Sequence, residues 1–312
     1  MIQLLVWRLA QFPLILAIIY LITFMFVWVA PGSPFGQSER KLNEAAETAL
    51  KQKFHAESWQ QFLGFYPYNV VVHGDFGPSM QYGEWSVNDI LKSALPVSIT
   101  LGIFALTLGT VLGVGVGTLA AVHRGGVFDW LSLTLVLLGI SLPSFISAAV
   151  LLSVFAGKLG WFPIGGWGSF KDLVLPGLAL SLAPMAYIAR LTRVSMIDVL
   201  SSDYVRTAVA KGLSRNVVIW KHCVRNAFLP VLSYLGPAAA ATLTGSFVVE
   251  KVFSIPGLGQ HFVNSVLNRD RTLILGTVIV YSVFLLVFNL LVDIGYAFVD
   301  PRIDITAKGS SK

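Results

Sequence analysis

The chain has 312 residues, of which 55% are hydrophobic and only 12% charged. A soluble domain carries about twice that share of charge, and charge is what a bilayer excludes, so the composition excludes a soluble globular fold and reads as a polytopic membrane protein. The formal net charge of +6 gathers beside apolar spans, which argues against a nucleic-acid partner, and the single cysteine, Cys223, allows no internal disulfide.

A hydrocarbon core about 30 Å thick takes about 20 apolar residues of helix. Six stretches meet that length: Leu9 to Ala30, Val97 to Val122, Phe128 to Ala156, Val174 to Leu191, Ala227 to Val249 and Leu273 to Val299. Open sheet edges cannot be satisfied in lipid, so each is expected to be a helix. The first is too long for the apolar region of a signal peptide, and "WVAPGSPF" sets Pro31 directly after Ala30. It reads as a retained anchor.

Lys and Arg near the span ends predict orientation. Arg190, Arg193, Arg206, Lys211, Arg215, Lys221 and Arg225 lie between spans four and five, with Arg124 in the turn "VHRGG" and Arg302, Lys308 and Lys312 in the tail. The segment between spans one and two has five basic and seven acidic residues. Both termini are therefore expected in the cytoplasm and the Pro31 to Leu95 segment outside. The expected organisation is an anchor helix over 1–30, an extracytoplasmic segment over 31–95, a five-helix core over 96–300 and a cytoplasmic tail over 301–312.

Within the outer segment, "ERKLNEAAETALKQKF" has Leu42, Ala46, Ala49, Leu50 and Phe54 near one helical face. Trp59, Phe62, Tyr66 and Tyr68 then suit an aromatic belt at the outer interface. The alternative is a surface that meets a delivered substrate or its carrier. In span two, Gly109, Gly113 and Gly117 recur every fourth residue and form one smooth face for close helix packing, or for sliding. Pro143, Pro176, Pro184 and Pro237 fall in or beside spans, where each removes an amide donor and favours a kink. Span five contains "GPAAAATLTGS"; its Gly236, Ala240, Thr244 and Ser246 are candidates for lining a translocation path, with plain packing as the alternative. Asp293 is the acidic residue that stands out in a span, with Asn289 one turn before it. An intramembrane carboxylate is a functional candidate, but at its shallow depth an interfacial Asp is the simpler reading.

No G-x-x-x-x-G-K-[ST], H-E-x-x-H or G-x-S-x-G occurs, and the five histidines lack metal-ligand spacing. The chain is thus expected not to be an enzyme and to hold no cofactor or metal. Any energy source must come from another chain or a gradient, and the scarcity of buried charge disfavours a gradient-driven secondary carrier.

Between spans four and five lies "SDYVRTAVAKGLSRNVVIWKHCVRNAFLP". Val205, Ala208, Val209 and Gly212 share one helical face. Gly212 ends that helix, and Ser214 is placed to cap a second, whose apolar face is expected to carry Val217, Trp220 and Val224. Such a pair could lie on anionic lipid headgroups or present a short helix to a groove on a partner.

This segment resembles the signature loop of bacterial ATP-binding-cassette importer permeases, whose pattern is E-A-A, three residues, G, then a closing L-P. Arg206, Thr207 and Ala208 occupy the first three positions, Gly212 the glycine and Leu229-Pro230 the close. The Glu and first Ala are replaced, so Asp203 and Arg206 stand in as the polar groups. "APGSPF", "HGDFGPS", "SVNDI", "SLPSF", "ARLTRVSMIDVL", "LPVLSYLGPA", "PGLGQHFVNSVLNRD" and "DPRI" extend the likeness over nearly the whole chain, to the B-type permease subunits of oligopeptide importers. The resemblance implies an all-α membrane protein of six transmembrane helices with the type I importer permease fold. It implies a homologous second permease, two cytoplasmic ATPases that bind ATP and Mg, an extracytoplasmic binding protein and a peptide substrate, with the surrounding lipid. It makes 194–226 the loop that couples to the ATPases, through Asp203, Tyr204, Arg206, Thr207, Ala208, Lys211, Gly212 and Leu213. Dipeptides, nickel or another small ligand are alternative cargoes within the same family.

Overall fold

The computed structural model describes residues 2–31, 49, 52–54, 56–82 and 85–299, without the side chains of 2–5, 244–245 and 296–299. The amphipathic helix expected over 39–54 lies mostly outside the described residues, as do the tail and "DPRI". Among the described residues the secondary structure is helical, apart from one isolated bridge between Pro78 and Ser86. Among the described residues four helices are long and apolar enough to cross a membrane, or up to six if each of two bent pairs is one span.

The chain divides into two compact units, one of Ile99–Ser254 with the residues from Val287 onward, the other of Ile2–Ser98 with Ile255–Leu286. The second unit holds α1 (Ile2–Val29), α2 (Trp59–Tyr68, continued as a π-helical turn Asn69–His73), the start of α3 (Val87–Val122), α11 (Leu258–Asn268) and the start of α12 (Arg271–Val299). The long helix α3 begins ten residues before the apolar stretch, because Ser86 and Asp89 close its first turn. The Asp89 amide donates to Ser86 Oγ at 3.1 Å, and that hydroxyl donates to the Asp89 carboxylate at 2.5 Å.

The aromatic belt divides in two. Phe62 and Tyr66 are buried against Tyr20 and Phe24 of α1, whereas Trp59 and Tyr68 stay exposed. Tyr20 and Tyr66 stack with ring centroids 6.2 Å apart. Positions 62 and 66 lie one turn apart and meet the neighbouring helix, which alternation of aromatics alone does not reveal.

A buried polar knot fixes the outer segment to α12. Asp270 caps the helix, accepting from the Leu273 amide at 3.1 Å and from Thr272 Oγ1 at 3.0 Å. It also accepts from Ser79 Oγ and from the Gln81 amide. Tyr66 Oη donates to the Thr272 carbonyl at 2.9 Å. Asp270→Ala removes a charged acceptor and leaves several buried donors unmatched, a loss of about 1.5–3 kcal/mol. Detergent-titrated unfolding of the purified protein is expected to show that loss, with Asp270→Asn losing less because its amide oxygen still accepts.

The first unit is organised around α6 (Phe170–Leu200), whose start is fixed by the Ser169 amide donating to Asp172 at 2.8 Å. The remainder of α3 meets α6 through its glycines, and α4 (Val127–Ser141) meets it through Gly139. The third span expected over Phe128 to Ala156 is a broken pair, α4 and α5 (Ser144–Leu151, continued as a π-helical stretch Leu152–Lys158), bent by 106°. The cause is Pro143, which has no amide to donate and drives Leu142 into extended geometry at φ −92°, ψ 117°.

Candidate functional site

The loop between α6 and the next long helix is built from the end of α6 outward. The chain leaves α6 at Ser201 and re-enters helix at α7 (Asp203–Ala210). Asp203 sits in the first turn of α7, where a negative charge meets the positive helix end. Val205 is buried and Ala208 partly buried in a cluster with Ala121 of α3, Met196 of α6, and Val218, Ile219, Cys223 and Ala227. The short helix therefore rests on the ends of two long helices and on the turn that follows it. Tyr204 Oη accepts from Asn226 Nδ2 at 2.9 Å, and Thr207 Oγ1 donates to the Asp203 carbonyl at 3.0 Å.

Gly212 has φ +79°. That left-handed conformation lets the Leu213 amide reach the Ala208 carbonyl at 3.3 Å and the Gly212 amide reach the Val209 carbonyl at 2.9 Å. The pair of bonds is the Schellman ending of a helix, for which glycine carries no Cβ penalty.

Elsewhere in the loop the structure departs from the sequence reading. Ser214 occupies the cap position, but its side chain makes no capping bond. Of the expected apolar face, Val224 packs against the buried cluster, but Val217 and Trp220 are out of phase. Helix α8 (Arg215–Val217) passes into a π-helical stretch, Val218–Cys223, before α9 (Val224–Ala227). The wider turn advances the register, so Val218, Ile219, Cys223 and Ala227 point inward while Val217 and Trp220 point out. Val209 likewise faces solvent, 57% exposed, with Trp220 at 53%.

The outward surface thus combines Val209, Leu213, Val217 and Trp220 with exposed Arg206, Lys211, Arg215, Lys221 and Arg225. Arg206 and Asp203 form a 3.6 Å ion pair, but both are so exposed that the pair adds little stability and leaves both groups accessible. An apolar patch with a cationic rim has the composition of a protein interface rather than of a catalytic pocket. Cys223 lies under this surface, and burial raises the pKa of its thiol. It is expected to resist maleimide in the folded protein and to react on unfolding, checked by mass change before and after denaturant.

A bidentate ion pair supports the same end of the molecule. Arg193 of α6 donates to Asp129 of α4 through Nε at 2.5 Å and a terminal nitrogen at 2.8 Å, and the Gly125 amide donates to the same carboxylate at 2.9 Å. In the sequence Arg193 reads only as an orienting charge, and Asp129 does not stand out as its partner. The available signal was a carboxylate in the first turn of a span, just after "GG". Glu250, fully buried near the end of α10 (Leu229–Val252), was missed in the same way.

Gly109, Gly113 and Gly117 lie where α3 crosses α6. A Cβ on Gly113 would come within 2.7 Å of the Met185 carbonyl and 2.9 Å of the Ile188 side chain, and one on Gly117 would run into Ala189 and Thr192. Of the path candidates on α10, Gly236 and Ser246 do not face open space. Gly236 is closed over by Asn289 of α12, and Ser246 Oγ donates to the Leu243 carbonyl at 2.6 Å. Small residues serve close packing as readily as they line a passage. Ala240 is partly buried, and the side chain of Thr244 lies outside the described residues. The exposed stripe of α10 instead carries Ser233, Pro237 and Ala241. Asp293 is partly buried in the last part of α12. Among the described residues, no three His, Cys, Asp or Glu side chains converge to hold a metal ion.

The family described as "Binding-protein-dependent transport system inner membrane component" matches residues 113–305. The chain is 45% identical to the dipeptide transport system permease protein of Bacillus subtilis, over 94% of each chain. It is 46% identical to the oligopeptide transport system permease protein of Haemophilus influenzae, over 91% of this chain and 94% of that one. The oligopeptide transport system permease protein of Escherichia coli is 43% identical over 92% of this chain and 94% of its own length. A chain in the crystal structure titled "an amino acid ABC transporter with histidines" superposes with a TM-score of 0.51 at 17% identity, covering 67% of this chain and 94% of that one. This last likeness is one of fold.

Proposed function

The chain belongs to the family of binding-protein-dependent transport system inner membrane components, and on that premise we propose that it is the permease subunit of an ATP-driven importer of oligopeptides. The observation that carries the mechanical part is α7. It is a short helix held by its buried face on the ends of α3 and α6, with an apolar and cationic face left outward. Force applied to that outer face reaches the long helices through Val205 and Ala208.

In this reading two cytoplasmic ATPases, carrying ATP and Mg, bind the coupling loops of the two permeases, and one of them grips the α7 surface of this chain at Tyr204, Arg206, Lys211 and Leu213. A homologous permease completes the path, and an extracytoplasmic binding protein delivers the peptide. ATP binding biases a two-state switch that opens the path alternately to each side. Ala240 and the exposed stripe of α10 are the candidates for lining it. The termini lie in the cytoplasm with the ATPases. The Bacillus subtilis relative supports dipeptides as a second cargo.

Two variants test the coupling role. Gly212→Pro cannot adopt φ +79° and loses an amide donor. Ala208→Trp overfills the cluster beneath α7. Each is expected to abolish ATP-dependent uptake of a labelled peptide by proteoliposomes containing the whole complex, while the chain remains in the membrane. Gly212→Ala is expected to cost only about 1–2 kcal/mol and to retain partial uptake. Normal uptake by the proline variant would remove the coupling role from this helix. Isolation of the tagged chain with no ATPase attached, still moving peptide after ATP depletion, would overturn the importer reading itself.

A further inference from the structure

A groove of about 350 Å³ lies wholly within the second unit, and the coupling site does not involve it. One wall is the last two turns of α1, from Thr23 to Ala30. Phe262 and Val266 of α11 and Ile274 and Val278 of α12 form the others. Thr23 to Ala30 spans about 10 Å along the helix axis, and the lining along that length is hydrocarbon except for the Thr23 hydroxyl.

At the end of the groove where α12 begins, the lining changes to Arg269 and Arg271, while Asp270 between them is fully buried, its carboxylate turned into the cap of α12 and away from the lining. The Arg271 guanidinium sits 4.2 Å over the Trp28 ring, near the end of α1. Arg269 ends α11 in a left-handed conformation at φ +60°, at the foot of the Phe262–Val266 wall. A tryptophan and two arginines at the ends of apolar helices mark the headgroup level of a bilayer. The groove then runs from that level along the ends of two membrane-crossing helices, and only 11% of the apolar window of α1 is buried within the chain.

We propose that this groove binds an anionic phospholipid, with one acyl chain along α1 and the phosphate on Arg269 and Arg271. A zwitterionic lipid could fill the apolar part, but its ammonium would oppose the paired cations. A soluble anion would leave the hydrocarbon wall without a partner. By the topology expected from the basic residues, the lipid belongs to the outer leaflet. The site stands whether or not the imported cargo is a peptide.

The test uses the intact complex in nanodiscs of equimolar phosphatidylcholine and phosphatidylglycerol, then transferred to detergent. Retained lipid is measured by native mass spectrometry. Wild type is expected to keep phosphatidylglycerol preferentially. Arg269→Gln should weaken retention roughly fivefold, and Arg269→Gln with Arg271→Gln by the square of that factor. Val266→Phe, which fills the groove but spares both cations, should lower retention of either lipid. Arg269→Gln leaves the Trp28–Arg271 contact in place, so it guards against a folding failure in the double variant. Equal retention of both lipids, or retention unchanged in Arg269→Gln, overturns the proposal. So does a Val266→Cys probe, in a Cys223→Ser background, that stays shielded from a lipid-soluble maleimide at every lipid composition. That outcome would mean the groove is covered by protein.

Discussion

Arg193→Ala should lower the stability of the folded chain by about 3 kcal/mol or more, one of the two largest single-residue effects expected. The arginine and Asp129 are only 20% and 7% exposed in their side chains. Removing one partner of such a pair leaves the other charge desolvated and unmatched, which costs more than the pair itself contributes. The second replacement should therefore recover most of the loss. Asp129→Ala with Arg193→Ala is expected to be nearer wild type than Arg193→Ala alone, by denaturant titration of the purified protein. The Gly125 amide also loses its acceptor in the double variant, so recovery will be incomplete. Peptide uptake should follow the same order. The ion pair ties the α3–α4 turn to α6 one turn before Met196, which belongs to the cluster that holds α7. Additive losses in the double variant would show that the two charges are not coupled.

Gly113→Val is expected to act as strongly by a different route. The first added carbon alone would lie 2.7 Å from the Met185 carbonyl, and the two methyl groups have no space between that carbonyl and Ile188. Backbone, not a flexible side-chain end, blocks the site, so α3 and α6 must separate. Overpacking of this kind costs about 1–3 kcal/mol where neighbours can yield, and more where they cannot. Gly115, two residues on and so about half a turn round the helix, with open space at its Cβ, is the control. Gly115→Val should insert and fold normally, and cysteine cross-linking between α3 and α6 would report the separation in the first variant alone. Equal behaviour of the two variants would remove the close packing at Gly113 as the cause.

The sequence disclosed most where one physical cause dominated. Apolar length announced the spans, and Gly212 announced the end of α7, because a left-handed position after a helix has few other occupants. It disclosed least where small or polar residues have two uses. Gly236 and Ser246 read the same whether they pack a helix or line a passage, and the closeness of Asn289 to Gly236 and the burial of Ser246 are not legible in the residue types. Periodicity failed at Val217 and Trp220 because one wide turn shifts the phase, and no residue type marks such a turn. Pro143 was seen, but a kink and a 106° reversal begin from the same missing amide. Arg193 was visible as a charge, yet its partner lies 64 residues earlier.

The glycine face of α3 has a consequence for the order of synthesis. Gly109, Gly113 and Gly117 find their partners between Ser181 and Thr192, and α4 and α5 are made in between. The smooth face of α3 therefore emerges from the ribosome with nothing native to meet. It must wait in the bilayer, beside lipid or the insertion machinery, until α6 has been translated. A ribosome stalled before Thr192 would leave that face open to any helix that packs closely.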